Sequence, residues 1–435
     1  MAMPLIVTLT TACSDDKEEM EEGIPPVTET TKEDSTNFAN DSIVVYMLPR
    51  TKAASLTDAQ RDYVRRCNDF AFNLYRRVSA DASLRGTSNI VSPLSLGIVL
   101  GMLHDGAQGS TASEILDVLN LQGLTKEEVN QLFATIISET PQIDTTVTCH
   151  LANMVAVNKD ISLSETFRAD MATFYQADTP QLDFSAPGSC TRYINEWSMT
   201  NTGGLISQLI SESDLTPSMA MALLNAIYFK ATWARKFDPA KTTTGSFATN
   251  EGERSVRMMH EKAEILYDEN DIFQMVSLPF GGGDKWSMKV LLPLDGKTIG
   301  DVVSCLNTTT WADYTRSLRT CIVDLKLPRF STRTNIEMND ILSSLGAPTM
   351  FTPQADFSLI IANQRSLCVS LIKQMTATEV SEEGTEMAAV TTALMFGADF
   401  QDYKNLTFHA NHSFVYIIEE ASTGAIFFIG TYNGD

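Results

Sequence analysis

The chain has 435 residues, 43% of them hydrophobic and 20% charged, which predicts one large soluble body or two ordinary ones with an ample core. The formal net charge of −22 and a pI near 4.6 argue against nucleic acid as a partner, because phosphate binding needs clustered lysines and arginines and no basic stripe is present. Seven scattered cysteines lack CxxC pairs and metal-ligand spacing, so neither a disulfide framework nor a zinc site is specified.

The first element is a short apolar run, PLIVTLTTAC, which ends in small residues at Cys13. It is too short to span a bilayer but suits the hydrophobic region of a signal. The run resembles the lipobox of bacterial lipoproteins, whose cysteine is acylated after cleavage, although Thr10 and the lack of a basic region before the run depart from that pattern. We therefore expect residues 1–13 to be a lipoprotein-type signal ending at Cys13, with an ordinary chain terminus as the alternative.

An acidic stretch follows, with ten acids and two lysines in residues 14–41. Such a run has too little apolar surface to fold and predicts a solvated tether over residues 14–56. No later stretch approaches 18 consecutive apolar residues. We therefore expect a folded body outside the cytoplasm, attached to a bacterial membrane through lipid alone, with exposure at the cell surface as one arrangement.

Helical periodicity begins after the tether. In residues 60–79, apolar side chains recur at steps of three and four, which predicts an amphipathic helix of about five turns. These side chains are Tyr63, Cys67, Phe70, Leu74 and Val78. The segment Asn89–Leu119 then predicts a brief strand, a buried helix starting near Pro93, and a second helix whose start has the capping-box spacing of Thr111 and Glu114.

Strands are predicted later in the chain. Met288–Pro293 and Gly424–Tyr432 are continuous apolar runs, typical of strands buried on both faces. No repeat of 20 to 50 residues and no break in composition divides the body. We therefore expect a single α+β domain over residues 57–435.

Catalytic motifs are not found. The sequence has no GxSxG elbow, and its five histidines lie in no local nucleophile motif. The segment HANH, from His409 to His412, reads as a strand rather than a metal site, and Phe280–Lys285 reads as a hairpin turn because it lacks the phosphate-loop spacing. Glu419 and Glu420 are expected on a solvated surface. The sequence therefore supports neither an enzyme nor a cofactor or metal site.

Five segments, in order, resemble motifs of the serpin family of protease inhibitors, and the resemblance extends from about Gln60 to Asp435. The first four are NIVSPLSLGIVLGML (Asn89–Leu103), NAIYFKATW (Asn225–Trp233), LPRFSTRTNIEMNDILSSLGAPTMF (Leu327–Phe351) and FHANHSF (Phe408–Phe414). The fifth is the stretch EEGTEMAAVT, which is similar to the family's loop hinge EEGTEAAAAT. The resemblance implies the serpin fold, with three β-sheets, about nine helices and an exposed reactive-centre loop at about residues 382–404.

The composition of the hinge agrees with this resemblance. Glu383 and Gly384 permit a pivot, while the residues that follow are small or β-branched and can be accepted by a sheet. The hinge comprises Glu382, Glu383, Gly384, Thr385, Glu386, Met387, Ala388 and Ala389. In serpins this loop is a bait for a protease and becomes a central strand after cleavage, and serpin loop insertion is a standard example of strand addition.

Other positions acquire roles from the resemblance. Ser92, Ser95 and Asn225 match the polar shutter beneath the opening sheet, and Trp233 matches the breach where insertion begins. Glu382 and Arg329 occupy the places of a breach ion pair in some members. Two departures are notable. Gln374 stands where a shutter histidine often lies, which makes pH control there doubtful, and Met387 replaces a usual alanine, which is expected to slow insertion.

The bait bond follows from the family's spacing. Fourteen residues beyond Gly384 lies Ala398, whereas counting back from FHANHSF favours Asp399. We predict Ala398 as the bait residue, because a small side chain suits elastase-like proteases with shallow apolar pockets. Cleavage at Met395 or Phe396 would instead admit chymotrypsin-like targets and shorten the inserted strand.

The resemblance implies a monomeric suicide inhibitor of a serine protease, with a cysteine protease as the alternative target. Two further functions stay open. One is a non-inhibitory serpin that acts as a binding module, and the other is a lipid-anchored hydrolase with an unrecognised triad. Thr385, Ala388 and Ala389 in the hinge favour inhibition over the first, and the lack of a nucleophile elbow disfavours the second.

Overall fold

The computed structural model describes residues 51–362, 367–385 and 405–435. Within these ranges it has nine α-helices: α1 (Asp58–Ala80), α2 (Pro93–Gly106), α3 (Gly109–Val118), α4 (Lys126–Glu139), α5 (Glu165–Tyr175), α6 (Pro187–Asn201), α7 (Ile299–Cys305), α8 (Thr308–Ser317) and α9 (Asn339–Leu345). The strands are β1 (Asn89–Val91), β2 (Val147–Asn158), β3 (Ala177–Asp178), β4 (Gln181–Leu182), β5 (Met221–Thr232), β6 (Thr243–Thr249), β7 (Gly252–Glu269), β8 (Phe273–Pro279), β9 (Trp286–Pro293), β10 (Arg319–Pro328), β11 (Phe330–Glu337), β12 (Lys373–Val380), β13 (Gly384–Thr385), β14 (Asn405–His409), β15 (Phe414–Glu420) and β16 (Ala425–Tyr432).

The strands of the described chain form three sheets. A nine-stranded sheet has the order β1-β16-β15-β9-β8-β7-β10-β14, with β6 also paired to β7. A five-stranded sheet has the order β13-β5-β2-β3, with β4 also paired to β2, and β11 and β12 form a two-stranded sheet. The predicted α+β class, with three sheets and about nine helices, is therefore confirmed.

The first two helices form where the sequence predicts them. Thr57 caps α1 in a capping box with Gln60, and the buried face of the helix includes Phe70, Leu74 and Val78. Ser92 caps α2, and Pro93 occupies its first turn, where the missing N–H costs nothing. Nearly every residue of α2 is buried, including the polar Ser95, His104 and Asp105, as expected for a helix whose sequence is apolar on most sides.

The predicted cap of α3 is wrong. The helix begins at Gly109, before Thr111, and its N-cap residue Gln108 makes no side-chain cap bond. Thr111 is fully buried and accepts a hydrogen bond from the Asp356 N–H at 2.9 Å. Glu114 accepts one from the Thr349 N–H, also at 2.9 Å. The Thr-x-x-Glu spacing is therefore used for contacts between distant segments rather than within one helix.

The solvated surface predicted for Glu419 and Glu420 is also wrong. Glu419 is 9% exposed and Glu420 is fully buried. Glu419 pairs with Lys289 of the neighbouring strand β9 and accepts a hydrogen bond from Trp311 Nε1 at 2.9 Å. Glu420 accepts the backbone N–H groups of the turn that follows β15. Both charges can be buried because every carboxylate oxygen has a donor.

Residues 51–56, part of the predicted tether, belong to the folded body. Thr51 forms a β-bridge with Asp144, and the backbone N–H of Lys52 donates to the Ile143 carbonyl at 2.8 Å. Ala54 and Leu56 are both buried in the main core. Two buried side chains are too few to give a helical or strand periodicity, so only the folded structure shows where the folded body begins.

The described cysteines Cys67, Cys149, Cys190, Cys305, Cys321 and Cys368 are free thiols. Burial raises the pKa of Cys67 to about 12, which makes this thiol unreactive at neutral pH. No helix within the described ranges is long and apolar enough to cross a membrane.

Candidate functional site

The hinge lies where two sheets meet. β5 is paired on one side to β2, and β12 is paired to β11. β5 and β12 contact one another, but the described residues show no backbone pairing between them. A turn at Ser381–Gly384 leads from β12 into β13, and β13 then pairs antiparallel to β5. The chain therefore reverses at the hinge and starts a strand beside both β5 and β12.

Gly384 is required at this reversal. Its φ is +121°, a conformation that residues with a side chain rarely adopt. A Cβ atom at this position would lie 2.4 Å from the Ala231 carbonyl oxygen and 2.6 Å from Thr232 Cα. Both contacts are to backbone atoms, which cannot move aside without disturbing β5.

Trp233 packs against the turn at Ser381–Gly384. The side chain is 2% exposed and stacks on Phe280, with ring centroids 4.4 Å apart. Trp233 Nε1 donates a hydrogen bond to the Ser381 carbonyl at 2.9 Å, and its backbone N–H donates to the Glu383 carbonyl at 2.9 Å. The indole therefore contacts the hinge that the family resemblance assigns to it.

Two ion pairs hold the acidic residues of the hinge. Arg329 Nε lies 3.3 Å from Glu382 Oε2, and the Thr242 hydroxyl donates to Glu382 Oε1 at 2.7 Å. Lys236 Nζ lies 2.5 Å from Glu383 Oε2. The structure thus brings together Glu382 and Arg329, as the resemblance implies. The role of Lys236 was missed, because a single lysine after Trp233 has no spacing that identifies a distant partner.

The predicted shutter residues form one polar network. The Ser95 hydroxyl donates to Asn225 Oδ1, and the Ser95 backbone N–H donates to the Ser92 hydroxyl at 3.2 Å. Gln374 binds the backbone of Ser92 twice: Gln374 Oε1 accepts from the Ser92 N–H at 3.0 Å, and Gln374 Nε2 donates to the Ser92 carbonyl at 2.8 Å. The network thus connects α2, β5 and β12. A carboxamide does not titrate, so these two bonds are independent of pH.

Asn153 extends this network and was not identified from the sequence. Asn225 Nδ2 donates to Asn153 Oδ1 at 2.6 Å, and Asn153 Nδ2 donates to the Tyr175 carbonyl at 2.7 Å. The Tyr175 hydroxyl in turn donates to Asn130 Oδ1 at 2.8 Å. Burial raises the pKa of Tyr175 well above its usual value, so the phenol remains a donor. These groups are satisfied by one another, as buried polar groups must be.

The two faces of β5 have different environments. Leu223, Ile227 and Phe229 pack in the main core, together with Leu103 of α2. Ala222 and Leu224 pack in a second apolar cluster under α6. A strand beside β5 therefore has one face toward the main core and the other toward α6.

Several predicted residues lie outside the described ranges: Cys13, Glu386, Met387, Ala388, Ala389, Ala398 and Asp399. His409 and His412 are described. His409 ends β14, and His412 bonds to the Pro293 carbonyl at 3.0 Å. No group of three or more histidine, cysteine or acidic side chains in the described ranges could hold a metal ion.

Comparisons with known proteins agree on one family. The model of the family described as serpin (serine protease inhibitor) matches residues 65–434. An uncharacterized serpin-like protein of Thermococcus kodakarensis is 31% identical over 405 residues, which are 92% of this chain and 92% of that protein. The crystal structure of human thyroxine-binding globulin with its ligand is 26% identical with a TM-score of 0.76, and the match covers 86% of this chain and 98% of that one. The native thermophilic serpin tengpin has a similar fold, with a TM-score of 0.77 at 24% identity over 89% of this chain and 97% of that one.

Proposed function

This chain belongs to the serpin family, whose members are generally protease inhibitors rather than enzymes, and we propose that it traps a serine protease by inserting its cleaved loop as a strand between β5 and β12. The protease serine attacks the bait carbonyl, the peptide bond breaks, and the protease histidine gives its proton to the departing amine. The acyl-enzyme is then carried away as the loop inserts. The inhibitor is proposed to act as a monomer.

β13 is the observation that carries this proposal. It pairs Gly384 with Thr232 and Thr385 with Ala231, so a strand has already begun in a defined register. If the inserted strand keeps this register, each further residue of the loop would move one step back along β5 and, from the Ser381–Gly384 bridge, one step back along β12.

The same register would place a polar loop residue beside the polar shutter residues. Seven residues beyond Gly384 is Thr391, seven before Thr232 is Asn225, and seven before Ser381 is Gln374. The inserted strand would therefore set a hydroxyl in the polar network rather than an apolar side chain. This match between a loop residue and two buried polar neighbours supports insertion along the whole length of β5.

Trapping requires a large decrease in the rate at which the acyl-enzyme is hydrolysed. Slowing deacylation about a million-fold takes roughly 8 kcal/mol at about 1.36 kcal/mol per decade. Loss of one oxyanion-hole donor supplies only about 3 to 4 kcal/mol. The protease triad must therefore also be displaced, which demands that insertion be complete before water attacks the acyl bond.

We propose an elastase-like target that cleaves between Ala398 and Asp399. Incubation with pancreatic elastase is expected to yield a covalent complex on a denaturing gel and a released fragment whose N-terminal residue is Asp399. A fragment beginning at Phe400 or at Gly397 would move the bait bond. Cleavage without any covalent complex would contradict inhibition and favour the binding-module alternative.

That alternative has one observation in its favour. The similar human thyroxine-binding globulin was crystallised with a bound ligand, so a chain of this fold can bind a small molecule. The hinge distinguishes the two functions, because small residues after Gly384 favour rapid insertion and a binding module does not need them. The elastase experiment tests both.

We also propose that the chain is a bacterial lipoprotein anchored outside the cytoplasm through Cys13. Full-length protein expressed in its native host is expected to incorporate labelled palmitate, and Cys13→Ala is expected to abolish the label and release the protein from membranes. The apolar run before Cys13 and the acids after it support this proposal. Cys67→Ala is the matched control, since that thiol lies in the folded body. Absence of label in the unaltered protein would contradict the anchor.

A further inference from the structure

Two histidines and a carboxylate meet on the sheet that contains β14. His260 lies on β7, Asp324 on β10 and His409 at the end of β14, and these three strands are neighbours in the sheet. His260 Nε2 donates a hydrogen bond to Asp324 Oδ1 at 2.8 Å. His409 Nε2 lies 3.5 Å from the same oxygen atom. The carboxylate is thus flanked by one imidazole from each neighbouring strand.

β14 is attached to the rest of the sheet by few backbone contacts. It has five residues, ends the strand order, and pairs only with β10 among the strands of the described chain. This pairing is parallel, and parallel pairs are slightly less stable per residue than antiparallel ones. The chain enters β14 from the segment that contains the predicted bait residue Ala398. A side-chain contact from the inner strands to β14 therefore helps to hold the strand that follows the bait.

The contact through His409 depends on the charge of the imidazole. His409 Nε2 has no hydrogen bond within the described ranges, and 3.5 Å is long for one. A neutral imidazole carries a proton on only one of its two nitrogen atoms. An imidazolium carries a proton on both and is also attracted to a carboxylate. Imidazoles gain this charge between about pH 8 and about pH 5. Acid therefore strengthens the contact between His409 and Asp324.

Asp324 keeps its negative charge over this range of pH. Burial acts to raise the pKa of Asp324, but hydrogen bonds from the two histidines outweigh burial and hold this pKa below its usual value. A carboxyl group whose pKa is lowered by folding contributes stability that is lost only as the pH falls through that lowered pKa. The contact is therefore strongest in mild acid, where the imidazoles are charged and the carboxyl group is still ionised.

The other charged groups near this contact follow from the strand register. Lys326 of β10 lies opposite both histidines, and Lys262 of β7 lies opposite Asp324. Glu264 lies two residues beyond Lys262 on β7, and β14 has no titratable residue other than its histidine. Lys326 opposes the charging of the imidazoles, but its long stem lets the ammonium extend into water. The carboxylate lies closer, because both rings reach it directly.

We propose that His260, Asp324 and His409 form a histidine clasp, which holds β14 in the sheet more firmly in mild acid than at slightly alkaline pH. The side chains of His260, Asp324 and His409 are 37%, 40% and 32% exposed. Water therefore screens each pair, and we expect the effect on the opening of β14 to be several-fold rather than larger. This inference goes beyond the proposed trapping function and does not depend on it.

Hydrogen exchange of the β14 amides tests the clasp in the full-length protein. Exchange is measured by mass spectrometry at about pH 5.5 and about pH 8 and is corrected for the intrinsic rate at each pH. The buried strand β16 is the internal reference for changes in global stability. In the unaltered protein, we expect the protection of β14 relative to β16 to be several-fold higher at the lower pH. In His409→Gln, which cannot gain a charge, we expect equal relative protection at both pH values.

Two further variants complete the experiment. His150→Gln is the matched control, because His150 is exposed on β2 in a different sheet, and it is expected to keep the pH dependence of β14. Asp324→Asn removes the charge that both histidines share and is expected to abolish it, with unchanged circular dichroism as the check of folding. Equal relative protection at both pH values in the unaltered protein, or pH dependence that persists in His409→Gln, overturns the clasp. Exchange requires no protease, so either result leaves the trapping function standing, and a failure to trap elastase leaves the clasp standing.

Discussion

Thr385→Arg is expected to convert the inhibitor into a substrate of elastase. The strand register pairs Thr385 with Ala231, which is 1% exposed, and the adjoining residue of β12 is Val380, also 1% exposed. Because β13 already pairs this position with β5 in the uncleaved chain, an arginine would first be displaced from the layer, and its entry on insertion would cost several kcal/mol in lost hydration without a partner. At about 1.36 kcal/mol per decade, a cost of about 3 kcal/mol in the insertion step slows it by more than a hundredfold.

The measurement is the stoichiometry of inhibition together with the cleaved, uncomplexed fraction on a denaturing gel. Thr385→Val is the matched control, since it keeps the shape and adds no charge, and it is expected to retain the covalent complex. The far-ultraviolet circular dichroism of the uncleaved variants should be unchanged. Unaltered stoichiometry for Thr385→Arg would mean that this face does not enter the core, or that the protease is trapped in another way.

Glu419→Gln is expected to destabilise the native protein by about 3 to 5 kcal/mol, because it leaves the Lys289 ammonium buried without its counter-charge. The side chains of Lys289 and Glu419 are 6% and 12% exposed. Besides Glu419, the structure gives Lys289 a hydrogen bond to the Ser287 hydroxyl at 2.9 Å. One neutral acceptor does not compensate a buried cation.

Urea unfolding followed by tryptophan fluorescence measures this loss. Asp313→Asn is the matched control: it removes a pair with Arg316 in which both side chains are more than 60% exposed, and such pairs contribute about 0 to 1 kcal/mol. The double variant Lys289→Met with Glu419→Gln is expected to recover most of the stability, since it removes the buried cation and keeps an acceptor for Trp311 Nε1. A Glu419→Gln protein as stable as Asp313→Asn would show that Lys289 reaches water.

The buried carboxylates show how a local pattern can mislead. Two adjacent acids at the end of an apolar strand read as solvent-exposed, because the strand pattern says nothing about what lies beside its last residues. Trp311 and Lys289 reach Glu419 from α8 and β9, which are distant in sequence. Thr111 and Glu114 are a second example. Their spacing is that of a helix cap, but their side chains accept hydrogen bonds from backbone groups of a distant segment.

The sequence alone determined the elements whose signals are local. The capped helix α1, the proline start of α2, the buried strands β9 and β16 and the small residues after Gly384 all follow from periodicity, capping and side-chain size. The motifs that identify the family are likewise continuous stretches of chain, so they could be read without coordinates.

Only the tertiary structure decided which distant residues meet. The pairing of Lys236 with Glu383 and the extension of the shutter through Asn153 both depend on segments brought together from far apart in the chain. Periodicity tells which face of a strand is buried, but it does not specify a partner strand or its register. Strand pairing and burial supply both, because each backbone donor and each buried charge must find a partner in the folded chain.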